Sequence, residues 1–358
     1  MRVTASAPGK LVLIGEYAVL FGHPALVMAA DRRARVDLRP NDATSWRVSA
    51  PGFCDEEALF DLHRDRGFAW REPTSDTAGR LTLVESLLGS LVSTGLIDPD
   101  DLPSAAVTLD TEDFFLPVDG GAAKLGLGSS AALTVALTEA VRNWVPREGR
   151  PPTLGLAELL ELHRSFQGGR GSGIDLAASS RGGVVEYRLI GESKTPDAHT
   201  AELPSGLAVV SVWTGRSAST ADFLARLEAG MRSDDGVIDA ALGELGRISS
   251  DGIDHLRSGS LNGFLDDVED FVSSMEALGH AAGIPVLSKG HRMLRRLAEE
   301  TGVSYKPSGA GGGDVGLGFT EDPEAAAAFA ERATVAGFTP LDLHIDPEGV
   351  RVDRGQVE

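Results

Sequence analysis

The stretch KLGLGSSAA, residues 124–132, carries two glycines, two serines and two alanines behind one lysine. A glycine-rich loop that opens a helix presents unpaired backbone N–H groups at the positive end of the helix dipole. That arrangement suits an anion, and glycine lets the anion approach closely. Gly126, Leu127, Gly128, Ser129, Ser130 and Ala131 make such a loop, and the serine hydroxyls can add to a phosphate oxygen or a magnesium ion. The same letters match a GxGxxA dinucleotide fingerprint, but no apolar strand ends directly at Lys124 and no second strand with a terminal acid follows the helix. No GxxxxGK[ST] occurs, which excludes a Walker-type site. Taken alone, the loop reads as a phosphate cradle or as a packing turn.

Two further clusters carry groups of the right chemistry. GSGID, residues 171–175, sets Asp175 beside glycines; such a carboxylate caps a turn, or it orients or deprotonates an acceptor and fixes a nearby lysine. KPSGAGGGD, residues 306–314, lies between an apolar helix and an apolar strand and reads as a compact turn against a ligand rather than a linker. Only five of the 33 basic residues are lysine, and three of them, Lys10, Lys124 and Lys306, lie in or beside glycine-rich stretches. Lysine offers a compact, rotatable point charge where arginine offers a planar fork, and at a crowded phosphate the two are not equivalent.

The elements that must position these groups follow from pattern. RVTASAPGKLVLIGEYAV reads as a strand ending at Gly15-Glu16, and RRARVDLRP as an alternating strand. Leu83, Leu87, Leu88 and Leu91 recur at helical spacing, as do Leu133, Leu137, Ala140 and Val141, so the 124–132 loop opens a helix that runs to Pro146. LGLAELLELHRSFQ is another helix. The polar segment 191–204 is the expected domain boundary, followed by the strand LAVVSVWTG and a helix capped at Ser219 or Thr220. A long helical region over 236–282, a helix near 289–301, a helix with Pro323 in its first turn and a strand pair through LHIDPEGVRV complete the reading. Trp46 and Trp70 stand where a purine can stack, with core packing as the plainer reading.

Composition narrows the class. The chain has 358 residues, enough for two moderate cores, with 42% hydrophobic and 24% charged residues. A formal charge of −20 argues against a nucleic-acid partner. The N-terminal apolar stretches are broken by Lys10, Glu16 and His23, so neither a signal peptide nor a membrane span is expected. Cys54 is the single cysteine, which rules out an internal disulfide and a cysteine-rich zinc site; a cytoplasmic location is the expectation.

In order and spacing, SAPGKLVLIGEYAVL and the three glycine clusters resemble the signature motifs of the GHMP kinases, over nearly the full length. Within that family the chain resembles the phosphomevalonate kinases, through Tyr17 in GEYAVL, the leading Lys124, GSGIDLAAS, VWTGRSAST at 212–220 and YKPSGAGGGD. The resemblance implies an α+β, two-lobed GHMP-kinase fold, with a mixed α/β nucleotide-binding domain over 1–195 and a ferredoxin-like α/β domain over 196–358. It implies ATP as co-substrate with Mg²⁺, a phosphorylated hydroxy acid as acceptor, and a monomer or homodimer. It further implies that Lys124 and Gly126 to Ala131 hold the ATP phosphates, that Ser130 is a metal ligand, and that Lys10 and Asp175 face the reacting groups. Lys10, Glu16, Tyr17, Ser172, Gly173, Ser219, Ser308, Gly309 and Ala310 are the implied acceptor contacts. Mevalonate kinases carry a metal-binding glutamate about three helical turns before the aspartate; here the region holds His163, Arg164 and Gln167, which leaves the second metal ligand open. A mevalonate kinase or another small-molecule GHMP kinase is the alternative, and a nucleotide-binding protein without turnover is the reading from a different class.

Overall fold

The computed structural model describes residues 1–355 apart from 73, 119–120, 147–149, 170, 219 and 233–235. The strand Arg2–Ile14 pairs antiparallel with the long strand Ala25–Pro40, and that strand pairs on its other edge with Val184–Ile190 near its start and Ala105–Asp110 near its end. Trp46–Ala50, Cys54–His63 and Gly67–Arg71 extend the sheet, and Trp46–Ala50 runs parallel to its neighbour, Ala105–Asp110. The helices Ser129–Trp144 and Ile174–Arg181 pack on the strand Arg2–Ile14, burying Val3, Ala5, Ala7, Leu11 and Leu13.

One irregularity in that strand matters for the site. The register with Ala25–Pro40 slips between Pro8 and Gly9, where proline has no N–H to donate. At Gly9 a Cβ would stand 2.8 Å from Leu127 O, so only glycine lets the 124–132 loop lie against the strand. The next residue, Lys10, donates its backbone N–H to Leu127 O at 2.8 Å. The bulge thereby sets the Lys10 side chain beside the loop.

The second lobe holds a four-stranded antiparallel sheet in the spatial order Ser304–Pro307, Val315–Thr320, Ala208–Trp213, Thr339–Leu341. The helices Thr220–Met231, Val237–Ser258, Leu261–Ala282 and Lys289–Glu299 come between its first two strands in sequence, and Pro323–Val335 comes between its last two. Chain order β-α-β-β-α-β with this strand order is the ferredoxin-like arrangement. The helical region expected over 236–282 is two helices, broken at Gly259, whose φ of 76° ends the first. The lobes meet where Gly246 and Gly252 bring Val237–Ser258 against His23 and Ile14, and where Ser249 Oγ donates to Pro24 O at 2.6 Å.

Two expectations change. The polar segment 191–204 contains the strand Thr195–Ala201, which pairs antiparallel with Val184–Ile190 as an edge of the first sheet. The chain therefore crosses to the second sheet after Ala201, whereas residue 195 is the first residue of that strand. The C-terminal strand pair does not form within LHIDPEGVRV: Arg351–Gly355 pairs with Arg2–Ser6, and Ile345 bridges Ala30, so the end of the chain returns to the first sheet. The helix cap expected at Ser219 lies outside the described residues. Among the described residues no helix is long and apolar enough to cross a membrane.

Candidate functional site

The loop 124–128 follows a short strand, Gly121–Lys124, which pairs with Phe115–Val118 as a two-stranded ribbon apart from both sheets. A strand thus does end at Lys124, but it is not the apolar central strand that a dinucleotide fingerprint needs. Gly126 and Gly128 take φ of 80° and 79°, the left-handed region open to glycine, and Gly128 is the residue on which the helix Ser129–Trp144 begins. Leu127, Ser129 and Ala131 are buried, so they offer the loop's ligand backbone N–H groups rather than side chains. Ser130 is half-buried and faces a cavity.

That cavity, about 610 Å³, lies between the lobes and gathers Lys10, Glu16, Tyr17, Lys124, Gly126, Gly128, Ser130, Ser172, Asp175, Gly309 and Ala310. Thus most of the residues predicted to bind phosphates and acceptor share one cavity wall. Two more open grooves, one beside Phe21 and Lys194 and one beside Thr200 and Arg257, gather no comparable set of groups.

Lys10 Nζ donates to Gly126 O at 3.2 Å. Asp175 lies in the first turn of the helix Ile174–Arg181, which starts on the left-handed Gly173, and its Oδ1 accepts the Leu176 N–H at 3.0 Å. Gly128 separates them: a Cβ there would sit 3.1 Å from Lys10 Cγ and 3.6 Å from Asp175 Cβ. Gly173 is buried beneath the wall, where a Cβ would press on Leu160 and the Tyr187 hydroxyl, and Tyr187 donates to Ser172 O at 2.5 Å. Burial and the nearby Asp175 charge raise the Tyr187 pKa, so its hydroxyl stays a donor.

The third glycine cluster is the turn of a hairpin, and it is tied to the end of the first strand. Ser308 Oγ accepts the Val12 N–H at 2.9 Å and donates to Val12 O, Gly309 N donates to Glu16 Oε1 at 3.1 Å, and Tyr17 donates to Ala310 O at 2.5 Å. Tyr17 sits at φ 62°, and burial raises its phenol pKa. Ser308 is therefore spent on the strand rather than on the cavity, whereas Gly309 and Ala310 reach the wall. Lys306, a candidate phosphate cation by sequence, is fully buried and paired with Glu16 at 2.5 Å. Arg216 is exposed and does not line the cavity.

Lys124 extends at the cavity mouth. Its side chain is exposed, yet the surrounding protein desolvates the ammonium enough to lower its pKa, with Asp314 acting in the opposite sense and Lys10 in the same sense. Asp314 also lines the cavity, and its carboxyl pKa is pushed up by burial against the pull of the Ala218 N–H, Lys10 and Lys124. In the sequence Asp314 carries no signal of a role, because an aspartate closing a glycine run is an ordinary turn residue. The apolar part of the wall, Val19, Leu20, Phe166 and Leu224, carried no signal of its own.

Of the three residues standing before Asp175 in place of a glutamate, His163 is buried against Thr134, 2.9 Å from Nδ1 to Oγ1, and burial lowers its pKa. Arg164 donates to Gly171 O, and Gln167 alone lines the cavity. Among the described residues no group of three or more His, Cys, Asp or Glu side chains forms a metal cage. A nucleotide-bound Mg²⁺ keeps several waters and takes one or two protein ligands beside its phosphates, so the cavity-lining Ser130 hydroxyl fits that ion. Trp46 stacks on Phe60 and Trp70 donates to Glu85 Oε2 at 2.7 Å; neither lines the cavity. Ser219 lies outside the described residues.

Residues 116–183 match the family described as GHMP kinases N terminal domain. A phosphomevalonate kinase from Streptomyces sp. (strain CL190) is 30% identical over 378 residues, covering 97% of this chain and 98% of the relative. A mevalonate kinase from Thermococcus onnurineus (strain NA1) is also 30% identical, covering 99% of each chain. The solved structure of Streptococcus pneumoniae phosphomevalonate kinase in complex with phosphomevalonate and AMPPNP shares the fold, with a TM-score of 0.73 at 18% identity, covering 96% of this chain and 99% of that one. With likeness running from end to end, and the helix-opening glycine loop inside the matched segment, the chain belongs to the GHMP kinases.

Proposed function

We propose that this kinase transfers the γ-phosphoryl group of ATP to the phosphate of 5-phosphomevalonate, giving ADP and 5-diphosphomevalonate, an isoprenoid precursor. The observation that carries the reading is that two ammonium groups, Lys10 and Lys124, stand on one cavity wall beside the glycine loop. A phosphate monoester has its second pKa at about 6 and is largely dianionic at neutral pH. Such an acceptor hardly needs a base; the barrier lies in bringing two anions together. Two lysines beside a loop of backbone N–H groups address that problem by charge.

In this reading the N–H groups at the start of the helix Ser129–Trp144 hold the ATP phosphates, and Lys10 covers the transferring group. Lys124 takes the acceptor phosphate at the cavity mouth. Asp175 orients Lys10 and the acceptor, while Tyr17, Ser172 and the 309–310 backbone seat the hydroxy acid. An acceptor oxygen attacks the γ-phosphorus, the bond to the β–γ bridging oxygen breaks, and ADP leaves with that electron pair. Mg²⁺, held by the Ser130 hydroxyl and ATP, supplies charge neutralisation of the phosphate oxygens when bound. A cytoplasmic location is part of the same proposal.

A second reading, phosphorylation of mevalonate itself, is favoured by the mevalonate kinase relative of equal identity and by a cavity carboxylate, Asp175, that can accept a hydroxyl proton. An ADP-release assay with 5-phosphomevalonate, mevalonate, homoserine and galactose separates the readings. The proposal expects turnover with 5-phosphomevalonate, and turnover confined to an unphosphorylated alcohol contradicts it.

A further inference from the structure

Asp314 is a negative charge on the wall of a cavity that, in the function proposed above, must hold two phosphates. An acidic side chain there repels both substrates, so its presence needs a reason. Its contacts supply one. The Asp314 N–H donates to Arg216 O at 2.6 Å, and its carbonyl accepts from both the Thr214 N–H and the Thr214 hydroxyl at 2.9 Å. Its Oδ1 accepts the Ala218 N–H at 3.1 Å. The carboxyl lies directly over Gly126, where a Cβ would come within 2.3 Å of Asp314 Cγ and 2.5 Å of Oδ2. The same turn reaches the phosphate loop a second time, because Ser217 Oγ donates to Lys124 O at 2.7 Å. Asp314 takes this position at φ 60°, in the left-handed region that aspartate tolerates better than most residues with a side chain.

We propose that Asp314 is a positioning residue that locks the 214–218 turn onto the phosphate loop and holds Lys124 at the cavity mouth, and so sets affinity for the phosphorylated acceptor. Although it lines the cavity, the carboxylate is engaged by the protein itself: one oxygen accepts from the Ala218 N–H and the other lies over Gly126. Its charge offsets the mutual repulsion of Lys10 and Lys124 before substrates arrive, which keeps both ammonium groups in place. The ligand whose affinity it governs is a phosphate monoester dianion. The inference rests on the proposed acceptor.

The test is calorimetric binding of 5-phosphomevalonate without nucleotide, and of ATP with Mg²⁺ without acceptor, to wild type, Asp314→Asn and Ser217→Ala. Asparagine keeps an oxygen for the Ala218 N–H and removes the charge. The expected result is acceptor binding weakened at least about tenfold in Asp314→Asn, in line with the effect of small misplacements at such sites, with ATP binding within about twofold of wild type. Ser217→Ala, an exposed position that cannot compromise the core, is expected to shift acceptor affinity in the same direction by a smaller factor. Acceptor affinity unchanged in both variants, or ATP affinity falling in parallel with it, overturns the role of Asp314 while the proposed function stands. A wild-type protein that does not bind 5-phosphomevalonate but turns over an unphosphorylated alcohol overturns the function, and the inference with it.

Discussion

Lys306 Nζ lies 2.5 Å from Glu16 Oε1, and both side chains are shut away from solvent. The pair joins a strand of the second lobe to the turn that ends the first strand of the first lobe, with Gly309 N as a further donor to the same oxygen. Burial lowers the Lys306 pKa and the Glu16 charge opposes that shift. Lys306→Met leaves a buried carboxylate without its cation, and a loss of about 3–5 kcal/mol in unfolding free energy is expected. Urea denaturation measures it, with the double variant Lys306→Met/Glu16→Gln recovering part of the loss. A midpoint unmoved by Lys306→Met contradicts the pairing.

The two loop glycines differ in what a side chain would meet. At Gly126 a methyl group collides with the Asp314 carboxyl, whereas at Gly128 it touches the flexible stem of Lys10. Both substitutions carry the left-handed backbone cost of about 1–3 kcal/mol. Gly126→Ala is therefore expected to weaken both ATP and acceptor binding more than Gly128→Ala does, read by titration of each ligand. Equal losses at the two positions would show that Asp314 does not confine Gly126.

His291 gives a pH dependence of stability. Gly313 O can only accept, so His291 Nε2 carries the proton at 2.9 Å and Nδ1 accepts from the Tyr305 hydroxyl at 2.7 Å. Burial pushes its pKa down from 6.5 to about 4, against a smaller upward pull from the Gly313 carbonyl. The unfolded chain therefore takes up the proton first. The contribution is whole above pH 6.5 and is lost as pH falls toward 4, by about 3 kcal/mol at most. Unfolding free energies across that window should fall less steeply for His291→Gln than for wild type, and identical slopes would rule the histidine out.

Much of this site is legible in sequence because glycine runs, a lone serine pair and scarce lysines have few structural uses together. The helix that starts on Gly128 and the turn at 308–313 follow from local chemistry. What pattern could not supply is which side chains the fold consumes. Lys306 and Lys124 look alike in the sequence, yet the first is sealed against Glu16 and the second reaches the cavity mouth, a distinction made by packing between residues 290 positions apart. Ser308 and Ser130 differ in the same way, one tied to Val12 and the other free to face the cavity. The return of Arg351–Gly355 to the first sheet was equally hidden, since strand partners are set by the register of distant segments.

Lys10 and Asp175 should separate in their effects if the acceptor is a phosphate. Lys10→Met removes charge from the transferring group and is expected to lower kcat by about 10²–10³, as loss of an electrostatic stabiliser does. Asp175→Asn, acting on orientation alone, should cost markedly less with 5-phosphomevalonate. Steady-state kinetics on the two variants decide it, and a larger loss in Asp175→Asn would mean that the aspartate serves as a base.

The most direct measurement is ³¹P NMR of the product formed from ATP and 5-phosphomevalonate. A phosphate acting as nucleophile creates a new P–O–P bond, so a pair of coupled diphosphate resonances distinct from those of ADP should grow as the phosphomonoester signal declines. A phosphomonoester signal that stays constant while mevalonate supplied in its place becomes a new phosphomonoester would contradict the account.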